Sequence, residues 1–169
     1  MRYYGFEANH AAKLVGVNMK ILCLISVMSC LALVGHAQQK KVVFICEHGA
    51  AKSVIAAAYF NKLARERNLN WEGVCRGTNP DSTLTAGTRE GLLTDNLLDK
   101  TLVPKKLSYS DTIGVSKIIL FTTLPDDFDT NIQTEDWSTL PGIDVNYSAR
   151  RDAILKKLSI LLDSLEAQK

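Results

Sequence analysis

Lys40-Lys41-Val42-Val43-Phe44-Ile45-Cys46-Glu47-His48-Gly49-Ala50-Ala51-Lys52-Ser53 is the stretch on which the fold turns. Two lysines lead into an unbroken apolar run, Val42 to Cys46, of the kind that reads as a strand buried on both faces. Glu47 to Lys52 is then a loop of mostly small residues. Ser53 heads Val54 to Ala64, with apolar residues at 55, 56, 59, 60 and 63, which predicts a helix with Ser53 as its N-cap. Strand, tight loop and helix in that order make the first unit of an α/β sheet.

The same alternation continues outward from this stretch. Trp71 to Cys75 reads as a second short strand, closed by Arg76-Gly77-Thr78-Asn79-Pro80. Residues 83–98 read as a helix with Leu92, Leu93, Leu97 and Leu98 on its apolar side. Ser116 to Thr123 reads as a third buried strand, and a short run near Thr134–Trp137 as a fourth. Ser148 to Leu165 closes the chain as a helix, with Ile154, Leu158, Leu161, Leu162 and Leu165 at three- and four-residue spacing. The expected fold is a single α/β domain, a doubly wound parallel four-stranded sheet with helices on both faces.

Upstream of the first strand the pattern changes. Met19-Lys20 precedes an apolar run from Ile21 to Val34, followed by Gly35-His36-Ala37. A base, a short apolar run and small residues before a cut describe a secretory signal. The run is short of the roughly 20 apolar residues of a membrane span. Residues 1–37 therefore read as an upstream extension plus signal peptide, with Met19 the expected start and cleavage after Ala37. The domain is 38–169, exported to a periplasmic or secreted location with no stable membrane anchor. It retains two cysteines, Cys46 and Cys75, and one histidine, His48.

Composition excludes several classes of function. At 46% hydrophobic residues, with 10 Gly and 4 Pro in 169, the chain is neither disordered nor collagen-like. Four cysteines are too few for a disulfide scaffold. Three of the 20 bases and one of the 18 acids lie in residues 1–37, which leaves 17 of each in the domain. That balance gives no electrostatic footprint for a nucleic-acid backbone. One histidine beside two cysteines, without ligand spacing, calls for no metal, and nothing calls for a cofactor.

The chemistry concentrates between Cys46 and Ser53. A cysteine at the carboxyl end of a buried strand lies where open α/β sheets bind ligands. Successive backbone N–H groups of a small-residue loop at a helix N-terminus can wrap a tetrahedral oxyanion. The same field acidifies a nearby thiol and makes it a nucleophile. Gly49 lets the loop take a left-handed turn, and Lys52 adds a full positive charge.

The run from Val42 to Phe60 resembles the start of the low-molecular-weight protein-tyrosine phosphatases and the related thiol-dependent arsenate reductases, whose loop is Cys, five residues, Arg, then Ser or Thr. Val74-Cys75-Arg76-Gly77-Thr78 resembles the end of their second strand. Glu135-Asp136-Trp137 and the final helix resemble the carboxyl part of the reductase branch. The resemblance spans nearly all of 40–167. It implies Cys46 as nucleophile, Glu47, His48, Gly49, Ala50, Ala51 and Lys52 as the oxyanion cradle, and Ser53 as the hydroxyl that stabilises the thiolate.

Three departures from the family pattern bear on activity. Lys52 stands where the family has Arg, replacing a planar fork by a point charge. The family's acid is an Asp before Pro between the last strand and the last helix. Here that segment offers Asp144, which does not precede Pro, with Asp126 and Asp127 after the third strand as alternatives. The reductases' two further cysteines after the third strand are absent from Leu120 to Asp129. Cys75 replaces a Ser beside the loop and is either a redox partner of Cys46 or a small buried residue. Three functions follow as expectations: hydrolysis of a phosphorylated substrate through a phosphocysteine, arsenate reduction with an external thiol or Cys75, or a catalytically weak oxyanion-binding or redox-responsive module.

Overall fold

The computed structural model describes residues 38–128, 130–142 and 146–168. The signal-peptide reading of residues 1–37 and the acid reading of Asp144 fall outside these. The strands are β1 (Lys40–Cys46), β2 (Trp71–Gly77), β3 (Val115–Leu120) and β4 (Thr134–Asp136), and the helices are α1 (Lys52–Glu66), α2 (Ala86–Thr94) and α3 (Tyr147–Glu166). The sheet is parallel throughout, in the order β2-β1-β3-β4. β1 is central and buried, as its apolar run requires, with Val42 and Ile45 fully buried. The α/β class and four-stranded parallel sheet expected from the sequence are present.

Alternate residues of the strands feed two cores. Val42, Phe44 and Ile119 face the larger one, where Val54, Ile55 and Phe60 of α1 meet Ile154, Leu158 and Leu162 of α3. Each such fully buried aliphatic contributes about 1.5–3 kcal/mol by transfer. Val43, Ile45 and Ile118 face the smaller core with Leu107, partly covered by Leu124, Phe128 and Ile132. The helical element on that side is a single 3-10 turn, Tyr109–Thr112, whose Tyr109 ring stacks on Phe128 at 4.9 Å. Trp137 is fully buried and Trp71 nearly so, packing residues as their size suggests.

Boundaries move by a few residues for local reasons. The helix expected over 83–98 shortens to α2, because Thr85 caps it by accepting from the Thr88 amide. Asn96 then takes φ +56° and turns the Leu97 and Leu98 amides back onto the Leu92 carbonyl. α3 starts one residue earlier than expected, at Tyr147, where the Asn146 side chain accepts from the Ala149 amide. β2 runs two residues further, to Gly77, in register with Cys46. β3 stops at Leu120 rather than Thr123.

Candidate functional site

The site is built where β1 ends. Cys46 is the last residue of β1 and is buried; six residues on, α1 begins. Between them Gly49 adopts φ +59°, the left-handed turn expected of it. A Cβ on Gly49 would stand 3.0 Å from the Gly77 nitrogen, and one on Gly77 2.8 Å from the Gly49 nitrogen. The loop and the end of β2 therefore touch backbone to backbone, an approach that admits only glycine at these two positions.

The segment after β2 laces the outside of the loop. Amides of Thr78, Asn79, Asp81 and Thr85 donate to the carbonyls of Cys46, Glu47, His48 and Ala50, at 3.1, 2.8, 3.0 and 3.2 Å. The loop's carbonyls are thus taken from outside. Among the described residues, no amide from Glu47 through Val54 donates to any group of the protein. Ala50, Ser53 and Val54 are at most 1% exposed and Ala51 is 7% exposed, so several of these donors are buried without a partner. Buried backbone amides are almost always paired, and a run of unpaired ones needs an acceptor from elsewhere.

Ser53 does not cap α1. Its hydroxyl lies 3.0 Å from the Cys46 sulfur, and the cap position falls to Ala51, which has no side-chain acceptor. The uncapped end leaves its free amides and positive dipole directed at the loop. No acid occupies the first turn of α1. Lys52 places its ammonium 5.6 Å from the Phe121 ring centroid, just past the end of β3.

The remaining candidates are distributed around this loop. Glu47 and His48 are exposed, and His48 Nδ1 lies 3.3 Å from Asp81, with Glu47 3.8 Å from Nε2. Among the described residues, no group of three His, Cys, Asp or Glu side chains is arranged to hold a metal ion. Asp126 and Asp127 lie in an exposed turn whose Asp127 carbonyl accepts from Tyr109, on the side of the smaller core. Asp81 and the lacing segment carry no local signal of this role. The Gly-Thr-Asn-Pro sequence after Arg76 signals a turn, but not that the turn returns to the β1 loop.

Cys46 and Cys75 are both free. The strands that carry them, β1 and β2, are adjacent, and their register staggers the two residues. Cys75 lies opposite Phe44, and Gly77 lies opposite Cys46. The cysteines share a face but are staggered by two residues, which sets their Cα atoms about 8 Å apart. A disulfide spans at most about 7 Å between Cα atoms without backbone movement. Burial pushes the Cys75 thiol up, against the opposing field of the Arg76 guanidinium.

Comparison with known proteins supports the fold. No family model and no curated protein sequence matches the chain. Among solved structures it is similar to YfkJ from Bacillus subtilis, at TM-score 0.69 and 18% identity over 80% of this chain and 99% of that one. It is similar to a thioredoxin-dependent arsenate reductase from Corynebacterium glutamicum, at TM-score 0.65 and 20% identity over 79% of this chain and 65% of that one. A low-molecular-weight protein tyrosine phosphatase from Bacillus subtilis gives TM-score 0.63 and 17% identity over 75% and 97%. The fold is that shared by low-molecular-weight tyrosine phosphatases and thioredoxin-dependent arsenate reductases.

Proposed function

We propose that the protein binds phosphate-type oxyanions in the loop from Cys46 to Ser53 and hydrolyses phosphorylated substrates through a phosphocysteine. The observation that carries this reading is the run of unpartnered amides, Glu47 to Val54, that follows Cys46 and enters an uncapped helix end. These donors suit the equatorial oxygens of a transferring phosphoryl group. Cys46 attacks phosphorus in line, so that a sulfur–phosphorus bond forms as the bond to the leaving oxygen breaks. Water then attacks phosphorus, releasing phosphate and the thiolate, which the Ser53 hydroxyl stabilises. Lys52 supplies charge to the cradle. Asp144, on its place in the sequence alone, is assigned the proton for the leaving oxygen. We also propose export of the domain, on residues 19–37 alone.

The test is release of nitrophenol from p-nitrophenyl phosphate by the reduced protein, beside Cys46→Ser. Turnover by the native protein, none by the variant, and a phosphoryl group on Cys46 after acid quench support the reading. Equal turnover by both overturns it. The same cradle fits arsenate, and the stagger of Cys75 favours an external thiol there, with arsenate and two thiols giving arsenite, a disulfide and water. Lys52, lying over Phe121 rather than offering a guanidinium fork, favours the third reading, binding with slow turnover. Vanadate or phosphate binding without hydrolysis identifies that case.

A further inference from the structure

A cavity of about 580 Å³ runs along the outer edge of β2, between α1 and the segment 92–105. Small-ligand sites occupy this size range and join an apolar lining to a few placed polar groups. Here Val54, Ala57, Leu92, Leu97, Leu98 and Leu102 supply the apolar lining.

Polar groups line the β2 edge and both walls of the cavity. Gly73 and Gly77 both direct their N–H and C=O away from β1. Gly73 is closed by the Asn61 side-chain amide, at 2.7 and 2.9 Å, and Gly77 by Lys105 and Leu107, at 2.9 and 2.8 Å. Strand alternation makes Cys75, between them, face the same open edge. Its carbonyl accepts from Arg76 Nη1 at 2.7 Å, but its N–H has no partner in another residue. Lys105 lines the cavity beside Gly77, and neither it nor Arg65 has an ion-pair partner among the described residues. Arg76 is matched by Asp111, at 2.6 Å. Of the two lining acids, Asp99 already accepts from the Thr101 amide and hydroxyl, which leaves Glu72.

We propose that this cavity is a second ligand site, separate from the Cys46 loop, for a small amphipathic organic acid. Its carboxylate takes the Cys75 N–H and the Lys105 ammonium, and its apolar body lies across Leu92, Leu97, Leu98 and Leu102. The walls are elements that also carry the loop: Val54 belongs to the first turn of α1, and the Lys105 carbonyl holds the Gly77 amide against Gly49.

The probe is octanoate, titrated into the 15N-labelled protein, with octan-1-ol and inorganic phosphate as separate arms. Octanoate is expected to shift the Cys75, Leu97 and Leu102 amides saturably and to slow alkylation of Cys75. Lys105→Glu, an exposed change, is expected to weaken octanoate about tenfold, the worth of one charge-assisted contact. Ala58→Trp, which fills the cavity, is expected to abolish binding, with circular dichroism checking its fold. Excess phosphate is expected to leave the octanoate shifts unchanged. The proposal is overturned if octanoate moves no amide at this edge, if octan-1-ol binds as well and Lys105→Glu has no effect, or if phosphate competes. None of these readouts uses hydrolysis, so failure here and failure of the phosphatase reading are distinguishable.

Discussion

Cys46, Lys52 and the pair Gly49–Gly77 decide what the loop can do. Each acts through a different physical term. The Cys46 sulfur has a hydroxyl 3.0 Å away and is followed in the loop by unpartnered amides, a combination suited to an anion on or at the sulfur. Lys52 offers one rotatable point charge where a guanidinium would hold two oxygens at once. Lys52→Arg is therefore expected to raise kcat for p-nitrophenyl phosphate, by up to about 100-fold. A fall instead means that the loop is built around an ammonium. The glycine pair is a matter of space. Gly77→Ala would place a methyl group 2.8 Å from the Gly49 nitrogen and 3.0 Å from the Glu47 carbonyl oxygen, neither of which can yield without opening the loop. The expected result is about 2–4 kcal/mol of lost stability in urea titration together with weaker phosphate binding. Wild-type stability in that variant would show that the close approach is not rigid.

The elements show which features local sequence encodes. β1 is legible because five apolar residues in succession have no other use in a short domain, and α3 because its leucines recur at helical spacing. Gly49 is legible because a small-residue loop between strand and helix needs a left-handed residue. The N-cap reading of Ser53 fails because a hydroxyl that could cap α1 instead meets a sulfur seven residues earlier in the chain, a tertiary contact with no local signature. The Cys46–Cys75 stagger was equally invisible, since register belongs to the pairing and not to either strand. Asn61 is a third such case. Read locally it is one polar residue on a helix, yet its amide satisfies both backbone groups of Gly73 on the open edge of β2. Asn61→Leu is expected to cost about 1–3 kcal/mol in chemical denaturation by leaving two half-buried backbone groups unpaired. It is also expected to hasten amide exchange at Gly73 selectively. Unchanged exchange there would remove the edge-closing role.

At the scale of the fold, α1, α2 and α3 are joined by one carboxylate. Asp95, just past α2, accepts hydrogen bonds from Tyr59 of α1 at 2.6 Å and Tyr147 of α3 at 2.7 Å, with Arg151 of α3 at 3.5 Å. The two hydroxyls hold its carboxyl below the ordinary carboxylate range, outweighing the opposing effect of burial. Burial and the Asp95 charge in turn push the Tyr147 phenol up, so both phenols remain donors at neutral pH. Because the folded-state pKa is depressed, the stabilisation is fully present above the unfolded carboxylate value of about 3.9 and is lost as pH falls through the folded value. Asp95→Asn keeps the size of the acceptor and removes its charge. It is expected to cost about 1–3 kcal/mol at pH 7, since hydrogen bonds to an ionised acceptor are the stronger kind. The deficit should shrink as the solution is acidified from about pH 4, where the unfolded chain begins to take up the proton, toward the lower folded value, where Asp95 loses its charge in the folded protein too. Asp111 and Glu135 are also held low, by Arg76 and Lys117 overcoming burial, so both proteins lose stability in acid and only their difference reports on Asp95. Urea midpoints of both proteins from pH 7 to pH 3 measure that difference. A deficit constant across the range would mean that Asp95 acts by shape alone, and that its charge does not tie α1 to α3.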